Sequence, residues 1–457
     1  MDQPYAAVIR EVTTILHEAV FSVETERLSR PLELDGVLRD VLRRIGLSVM
    51  QSVLESLSVE VVEQAKARDE ALVVQHRRAI RVETVFGRMQ VPSPYLWGAG
   101  LGARPVQEEL GLRHGQRSVA VERALTDFGA EESFAQAAAR FEEHYGFAVG
   151  RTSILRIVEK RAQEAETYVA ERLSEQAAAF ALAPAVRPGA EEMLVELDGC
   201  EIRTGTLVDV NTDEKTPVRK RPKRRRAQQW REVRVALTRR LDEVERSYVA
   251  RMDSYPAVVG QLFQAAVGRG LSSTTTTVAV ADGGNGLREE LAVQFPNLQF
   301  IYDRPHLEKH LYETADAMGL QAQARNAWVE RILATLGEGH SDRVLAELAA
   351  HRGRGKTRVE QLRRHLGRFA DAVHYDVYRV RGWPIGSGEV ESAHRSVPQK
   401  RLKLPGAWWK PSTVNPVRHF SMAGLFLSCS KPIIVLPIGV HSSEPILSLF
   451  LYALNCR

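Results

Sequence analysis

Two aspartates stand directly after apolar runs: Asp198 in VELDGCEI and Asp282 in VAVADGGNG. An acid at the end of a buried strand is solvated, caps a turn or holds a metal, and ligand sites favour such strand ends. Asp-Gly is also a common turn dipeptide, so neither residue is decisive alone. A third acid lies in GWPIGSGEVESAHR, residues 382–395, where Glu389 and Glu391 follow a Gly-Ser-Gly loop. Ser387 reads as the cap of a helix, with Val390, Ala393 and Val397 as its buried stripe. Neighbouring helix positions differ by about 100°. Glu389 and Glu391 therefore flank Val390 on opposite sides, and both cannot reach one cluster; spacing alone leaves the choice open. Two aspartates on strands and a glutamate on a later helix make an oxygen ligand set for hard cations such as Mg²⁺. Two such ions about 4 Å apart activate a water or 3′-hydroxyl and stabilise the leaving oxygen, the chemistry of phosphodiester cleavage and strand transfer.

The elements that must position these acids follow from periodicity. Residues 1–75 read as helices, with apolar residues at helical spacing in AAVIREVTTILHEAV and VLRDVLRRIGLSVMQSVLESL. Segment 76–112 contains VETVFGRMQVPSPYLW, an alternating hairpin pattern turning at Phe86-Gly87. Segment 113–180 has a helix-turn-helix-like pattern, which helical bundles that touch no DNA also show: Gly146 closes one helix, FAVGR turns, and Thr152 or Ser153 caps the next. Arg151 and Arg156 are its candidate DNA contacts. ALAPAVRPGA, 181–190, is a Pro/Ala-rich break that reads as a linker. From there the order is β-β-β-α-β-α-β through residue 305, a mixed sheet, then charged helices over 306–379 and the Glu-bearing helix within 380–417. Acids in this order, with a helical insert before the last helix, form an RNase H-like arrangement.

The 457 residues carry 62 Lys and Arg against 57 Asp and Glu, a formal charge of +5 that suits an anionic partner. Three cysteines without a CxxC pair argue against a disulfide framework or structural zinc. The N-terminus does not read as a signal peptide. The one run that raises a membrane question is the C-terminal IIVLPIGVHSSEPILSLFLYAL, which Pro and a polar HSSE interrupt. No membrane partner and a cytoplasmic location are expected.

In order along the chain, VELDGCEI, VAVADGGNG, IYDRPHLEKHL and GWPIGSGEVESAHRSVPQKRLKLPG resemble the motifs of DDE-type insertion-sequence transposases of the Kra-type (ISKra) group. The resemblance covers most of residues 76–417. It implies Asp198 and Asp282 as catalytic aspartates and metal ligands. It implies Glu391 as the third acid, because the family's glutamate follows an apolar residue and precedes a small one, as in Val390-Glu391-Ser392. Asp303 and His306 match an accessory Asp-x-x-His. The resemblance further implies an α/β RNase H-like core with a five-stranded mixed sheet and an all-α insertion, behind a mainly helical DNA-binding region. It implies two Mg²⁺ ions with Mn²⁺ as a substitute. The implied partners are terminal inverted repeats and target DNA, engaged by a homodimer or higher oligomer on the bacterial nucleoid.

Other features weigh two ways. KTPVRKRPKRRR, 215–226, holds eight basic residues in twelve; beside a nuclease site, Arg221, Lys223, Arg224, Arg225 and Arg226 read as sequence-blind backbone contacts. Arg395, Lys400, Arg401 and Lys403 form a second basic cluster on the side where phosphates would lie. His306 and His310 are at metal-pair spacing, but without the HExxH pattern a zinc protease is not expected. Cys200 reads as a small strand residue. The glycines of GGNG read as a turn that leaves room near the metals. Trp408 and Trp409 read either as base-stacking or as packing under the Glu-bearing helix. Residues 418–457 depart from the family, being apolar and nearly free of charge; this reads as a shifted frame or a degenerate element end. It motivates the alternative of a catalytically inactive or repurposed transposase that acts as a DNA-binding protein.

Overall fold

The computed structural model describes residues 4–26, 34–98, 100–182, 189–209, 224–295 and 297–415. Arg221, Lys223, most of the 181–190 break and the atypical tail lie outside the described residues. The chain divides into two units, 1–158 and 159–436. The division falls inside a helix, earlier than the Pro/Ala-rich break.

The first unit opens with α1 (Pro4–Glu26) and α2 (Leu34–Arg68). Strands β1 (Val73–His76), β2 (Ala79–Thr84), β3 (Gly87–Pro92), β4 (Tyr95–Gly98) and β5 (Leu101–Ala103) follow, then α3 (Pro105–Glu108) and β6 (Gln116–Arg117). β2 and β3 form the expected hairpin, with Thr84 opposite Gly87. Val61 and Val62 of α2 share a core with Ile80, Val82, Met89 and Val91 of that hairpin. Among the described residues α2 is the one helix long and apolar enough to cross a membrane, so the C-terminal run is not alone in raising that question. Part of its apolar surface is accounted for by the hairpin core.

Helices α4 (Val119–Glu131) and α5 (Phe134–Tyr145) follow, and then α6 (Arg151–Leu182), which runs through the division. Gly146 closes α5 in the left-handed region, φ 72°, as its position implied. The expected cap of α6 is corrected. The helix starts at Arg151, and the Gly150 carbonyl accepts from the Ser153 and Ile154 amides at 2.8 and 3.3 Å. Thr152 and Ser153 therefore sit inside the first turn. The turn between α5 and α6 is held by Arg88, which donates to the Ala148 carbonyl and to the buried Glu83 at 3.1 Å.

The second unit is built on β7 (Glu192–Asp209), β8 (Arg224–Arg240), β9 (Ser247–Arg251), β10 (Thr276–Ala281) and β11 (Leu298–Tyr302), with α7 (Tyr255–Gly268) and α8 (Leu287–Gln294) as connections. The sheet order is β11-β10-β7-β8-β9. β7, β8 and β9 run antiparallel; β10 and β11 run parallel to β7 and to each other. This is the expected mixed five-stranded α/β sheet. The apolar runs of β7 and β10 are continuous because the central strands are buried on both faces, Leu194, Val195, Val278 and Val280 being at most 1% exposed. β7 and β8 are longer than their sequence pattern implied. They pair out to Asp209 opposite Arg224, and their distal half is an arm on which the Trp409 backbone also pairs, bonded to Arg203 and Gly205.

After β11 the chain is helical: α9 (Arg304–Met318), α10 (Ala322–Gly337), α11 (Ser341–Ala350), α12 (Lys356–Arg368) and α13 (Tyr375–Val380). Then come α14 (Gly388–His394), a π-helical turn over Arg395–Gln399, and α15 (Lys400–Leu402). The all-α segment thus stands between the last strand and the Glu-bearing helix, where it was expected.

Candidate metal centre

Register explains how the acids meet. Leu197 pairs with Ala281, and Ala281 with Tyr302. The next residue along each of these three parallel strands is an acid: Asp198, Asp282, Asp303. They form one row across the carboxyl edge of the sheet. Asp198 lies within β7; Asp282 and Asp303 lie one residue beyond their strands.

Helix α14 crosses this edge. Ligand atoms of Asp198, Asp282 and His306 lie within 4.8 Å of one another, and so do those of Asp303, His306 and Glu391. His306 belongs to both groups, which makes the expected accessory histidine the joint of the cluster. Its Nδ1 is hydrogen-bonded to Asp303 Oδ2. That bond, against the cost of burial, holds the imidazole pKa above its ordinary value. Asp282 is pushed up, first by burial and further by the charges of Asp198 and Asp303. Its Oδ1 accepts from the Gly284 amide at 3.2 Å. His394 lies with Nδ1 3.8 Å from Asp198 Oδ2. Burial holds its pKa down despite the aspartate.

The two glutamates of α14 part company, as helix geometry required. Glu389 turns to β8 and the loop after it. It accepts from Arg239 Nε and Nη2 at 3.1 and 2.8 Å and from Arg246 Nε. Arg239 is itself fixed by its Nη1, which donates to the carbonyls of Arg240, Leu241 and Glu243 at 3.0, 3.0 and 3.1 Å. Burial raises the Glu389 pKa, but the two guanidinium groups outweigh it and the net shift is downward. Glu391 is exposed and turns to Asp303 and His306.

The expected Ser387 cap is corrected. Ser387 occupies the cap position, yet its hydroxyl makes no capping bond. Its backbone N–H donates to Asp303 Oδ1 at 3.0 Å. The free N–H of Val390 is satisfied by Glu196 Oε2 at 2.8 Å. A side chain from β7 thus does what a local cap would do for the helix terminus. Glu196 is 1% exposed. Burial pushes its pKa to about 8, outweighing the Val390 hydrogen bond. Glu196, His394, Arg239 and Arg246 are not among the residues expected from the sequence. A signal for the first was present, because Glu196 and Asp198 are two apart in a strand and share a face.

The basic candidates divide. Arg395, Lys400 and Lys403 are exposed after α14, and Arg224, Arg225 and Arg226 are exposed on the arm. Arg151 and Arg156 are exposed on α6 in the first unit. Arg401 is a correction: it is 2% exposed, with its guanidinium 4.7 Å from the Trp409 ring centre, so it packs inside the unit and does not face phosphate. Trp409 is buried and donates Nε1–H to the Leu402 carbonyl at 3.1 Å. Trp408 stacks under Arg226 on the arm, 4.3 Å from the guanidinium to the ring. His310 accepts from Arg358 at 3.2 Å, inside the helical segment. Burial pushes the Cys200 thiol to about 11, which makes it inert.

No family model and no curated protein matches the chain. Among solved structures it is similar to the Drosophila P element transposase strand transfer complex, at 11% identity and a TM-score of 0.23, over 71% of this chain and 82% of that one. At that score the likeness says nothing of this chain's chemistry, which has to be read from the site.

Proposed function

We propose that the chain is a DDE-type transposase of the Kra-type group that its motifs resemble. In this reading the second unit is an RNase H-like core that hydrolyses phosphodiesters at insertion-sequence ends and joins the 3′-hydroxyls to target DNA. The observation that carries the proposal is a pair of ligand clusters at one sheet edge that share His306, one with Asp198 and Asp282 and the other with Asp303 and Glu391.

The residues fit divalent cations. Four carboxylates and one imidazole crowd one edge, and burial first, then the like charges, push Asp282 upward. A bound cation offsets such crowding. Asp198, Asp282 and Glu391 would be the principal ligands, with Asp303 and His306 within reach. Oxygen ligands suit Mg²⁺, and an imidazole among them suits Mn²⁺ as well. When bound, two such ions activate the attacking water or 3′-hydroxyl and stabilise the leaving oxygen. The chain's own residues hold the geometry. Glu196 and Glu389 fix α14, Asp303 orients His306 and the loop before α14, and His394 lies beside Asp198. Arg395, Lys400 and Lys403 attract the phosphates near Glu391, while Arg224, Arg225 and Arg226 on the arm bind more distant backbone. In the first unit α5, its turn and α6 read as the element-end binding region, with Arg151 and Arg156 at the DNA. Holding two ends together calls for a dimer or higher oligomer, and the substrate places the protein on the nucleoid.

The test is metal-dependent nicking of a plasmid that carries the element's inverted repeats. Alanine at Asp198, Asp282 or Glu391 should each remove nicking and leave end binding in place. A fully active Asp198→Ala protein would refute the assignment. A wild-type chain that binds ends but never nicks would support a DNA-binding protein without catalysis.

A further inference from the structure

We propose that the helical insertion is part of the metal centre's machinery: through His365, Arg368 and Asp371 it clamps the loop that carries Asp282. These three act as positioning residues, and the proposal rests on reading Asp282 as a metal ligand. The loop 283–286 has little rigidity of its own, with three glycines in four residues. Its ties come from α12 and the turn after it. Arg368 Nη1 donates to Asn285 Oδ1 at 3.0 Å. Arg288, in the first turn of α8, donates to the Arg368 carbonyl at 3.1 Å and to Asp371 Oδ1 at 2.9 Å.

The loop is also walled in. A Cβ on Gly283 would fall 2.7 Å from His365 Cε1 and Phe369 Cε2 and 2.9 Å from Tyr302 Cε2. The space left by this glycine is therefore filled by the insertion, not kept open toward a metal. His365 is fixed in turn. Arg368 Nη2 can only donate, and it lies 3.2 Å from His365 Nδ1, so Nδ1 is the acceptor. The proton is then on Nε2, which donates to the Tyr302 hydroxyl at 2.8 Å. Tyr302 is the last residue of β11 and precedes Asp303. One helix of the insertion thus touches the supports of two acids in the row. The Gly284 amide passes the constraint to the Asp282 carboxylate.

The test uses the full chain and Mn²⁺ as probe, with binding followed by calorimetry and by thermal stabilisation. Arg368 is exposed, so Arg368→Ala should fold. We expect its Mn²⁺ affinity to fall about tenfold, as when an outer-shell partner is lost. Arg364→Ala, on the same helix but paired with Glu360, should keep wild-type affinity. Wild-type affinity in Arg368→Ala overturns the proposal, whatever its melting temperature, and so does equal weakening in Arg364→Ala. Asp282→Asn separates the two levels. If it keeps the wild-type Mn²⁺ response, the metal centre itself is misassigned. If it loses that response while Arg368→Ala does not, only the clamp fails.

Discussion

Glu389 and Glu391 stand two residues apart on one short helix, and their substitution by Gln should have opposite effects. Glu389 is held by two arginines, and its side chain is 26% exposed. Gln keeps one acceptor but turns an NH₂ toward guanidinium groups that only donate. A hydrogen bond to a charged group contributes about 1.5–3 kcal/mol. Partial exposure reduces that, so a loss of about 2 kcal/mol is expected. For a unit of this size that is roughly 4–8 °C in melting temperature. A saturable Mn²⁺ response should survive, weakened as α14 loses its tie to Arg239 and Arg246 but not removed, because the Glu389 carboxylate itself points away from the acid row. Glu391 is exposed and turns to Asp303 and His306. Glu391→Gln should leave metal-free stability within about 0.5 kcal/mol of wild type. It should remove the saturable Mn²⁺ response and nicking. Differential scanning fluorimetry across an Mn²⁺ titration reads both effects in one experiment. A Glu391→Gln chain that loses stability while keeping its Mn²⁺ response, or a Glu389→Gln chain that does the converse, would refute this account of α14.

Glu196 makes a pH prediction. Its folded pKa lies near 8 against an ordinary 4.5, so the fold favours the neutral form. The stability this contributes is present below pH 4.5 and is lost as pH rises toward 8. Gln at this position stays neutral, so by pH 7 Glu196→Gln should be more stable than wild type by on the order of 3 kcal/mol. Urea unfolding at pH 5 and at pH 7.5 checks this, and a gap that does not widen with pH would show that the carboxyl is ionised in the fold. On the arm, replacing Arg224, Arg225 and Arg226 together by Ala should weaken binding to any duplex alike. The slope of log affinity against log salt should fall by about 3; an unchanged slope would remove the arm from the DNA path.

Much of this architecture is legible in the residues. Continuous apolar runs mark β7 and β10, helical spacing marks α14, and Gly146 marks the end of α5, because each depends on local periodicity or a single backbone requirement. What is not legible depends on register between distant segments. Nothing local shows that Asp303 is level with Asp282 and Asp198, since that follows from pairing Ala281 with Leu197 and with Tyr302. Nor does spacing choose between the two glutamates. The choice is made by Arg239 and Arg246, which claim Glu389 from about 150 residues away. Arg401 misleads for the same reason: among lysines and arginines it reads as surface, and only the folded position of Trp409 buries it.

The polar groups around α14 form a hierarchy. Helices this short have too few internal bonds to hold a side chain in place, and nucleation alone disfavours them. α14 is seven residues long, and its own capping serine does not close it. Its position is set from outside, by Glu196 on the Val390 amide, by Asp303 on the Ser387 amide and by the arginines on Glu389. Each of these contacts ends on a strand, the edge of a strand or the loop following one. The helix is therefore registered to the sheet, and Glu391 is registered to the aspartates through it. A buried carboxyl that is costly to ionise and a partly exposed ion pair are poor devices for stability. They are well suited to fixing the angle at which a short helix crosses a row of acids, where an error of an ångström would separate Glu391 from His306.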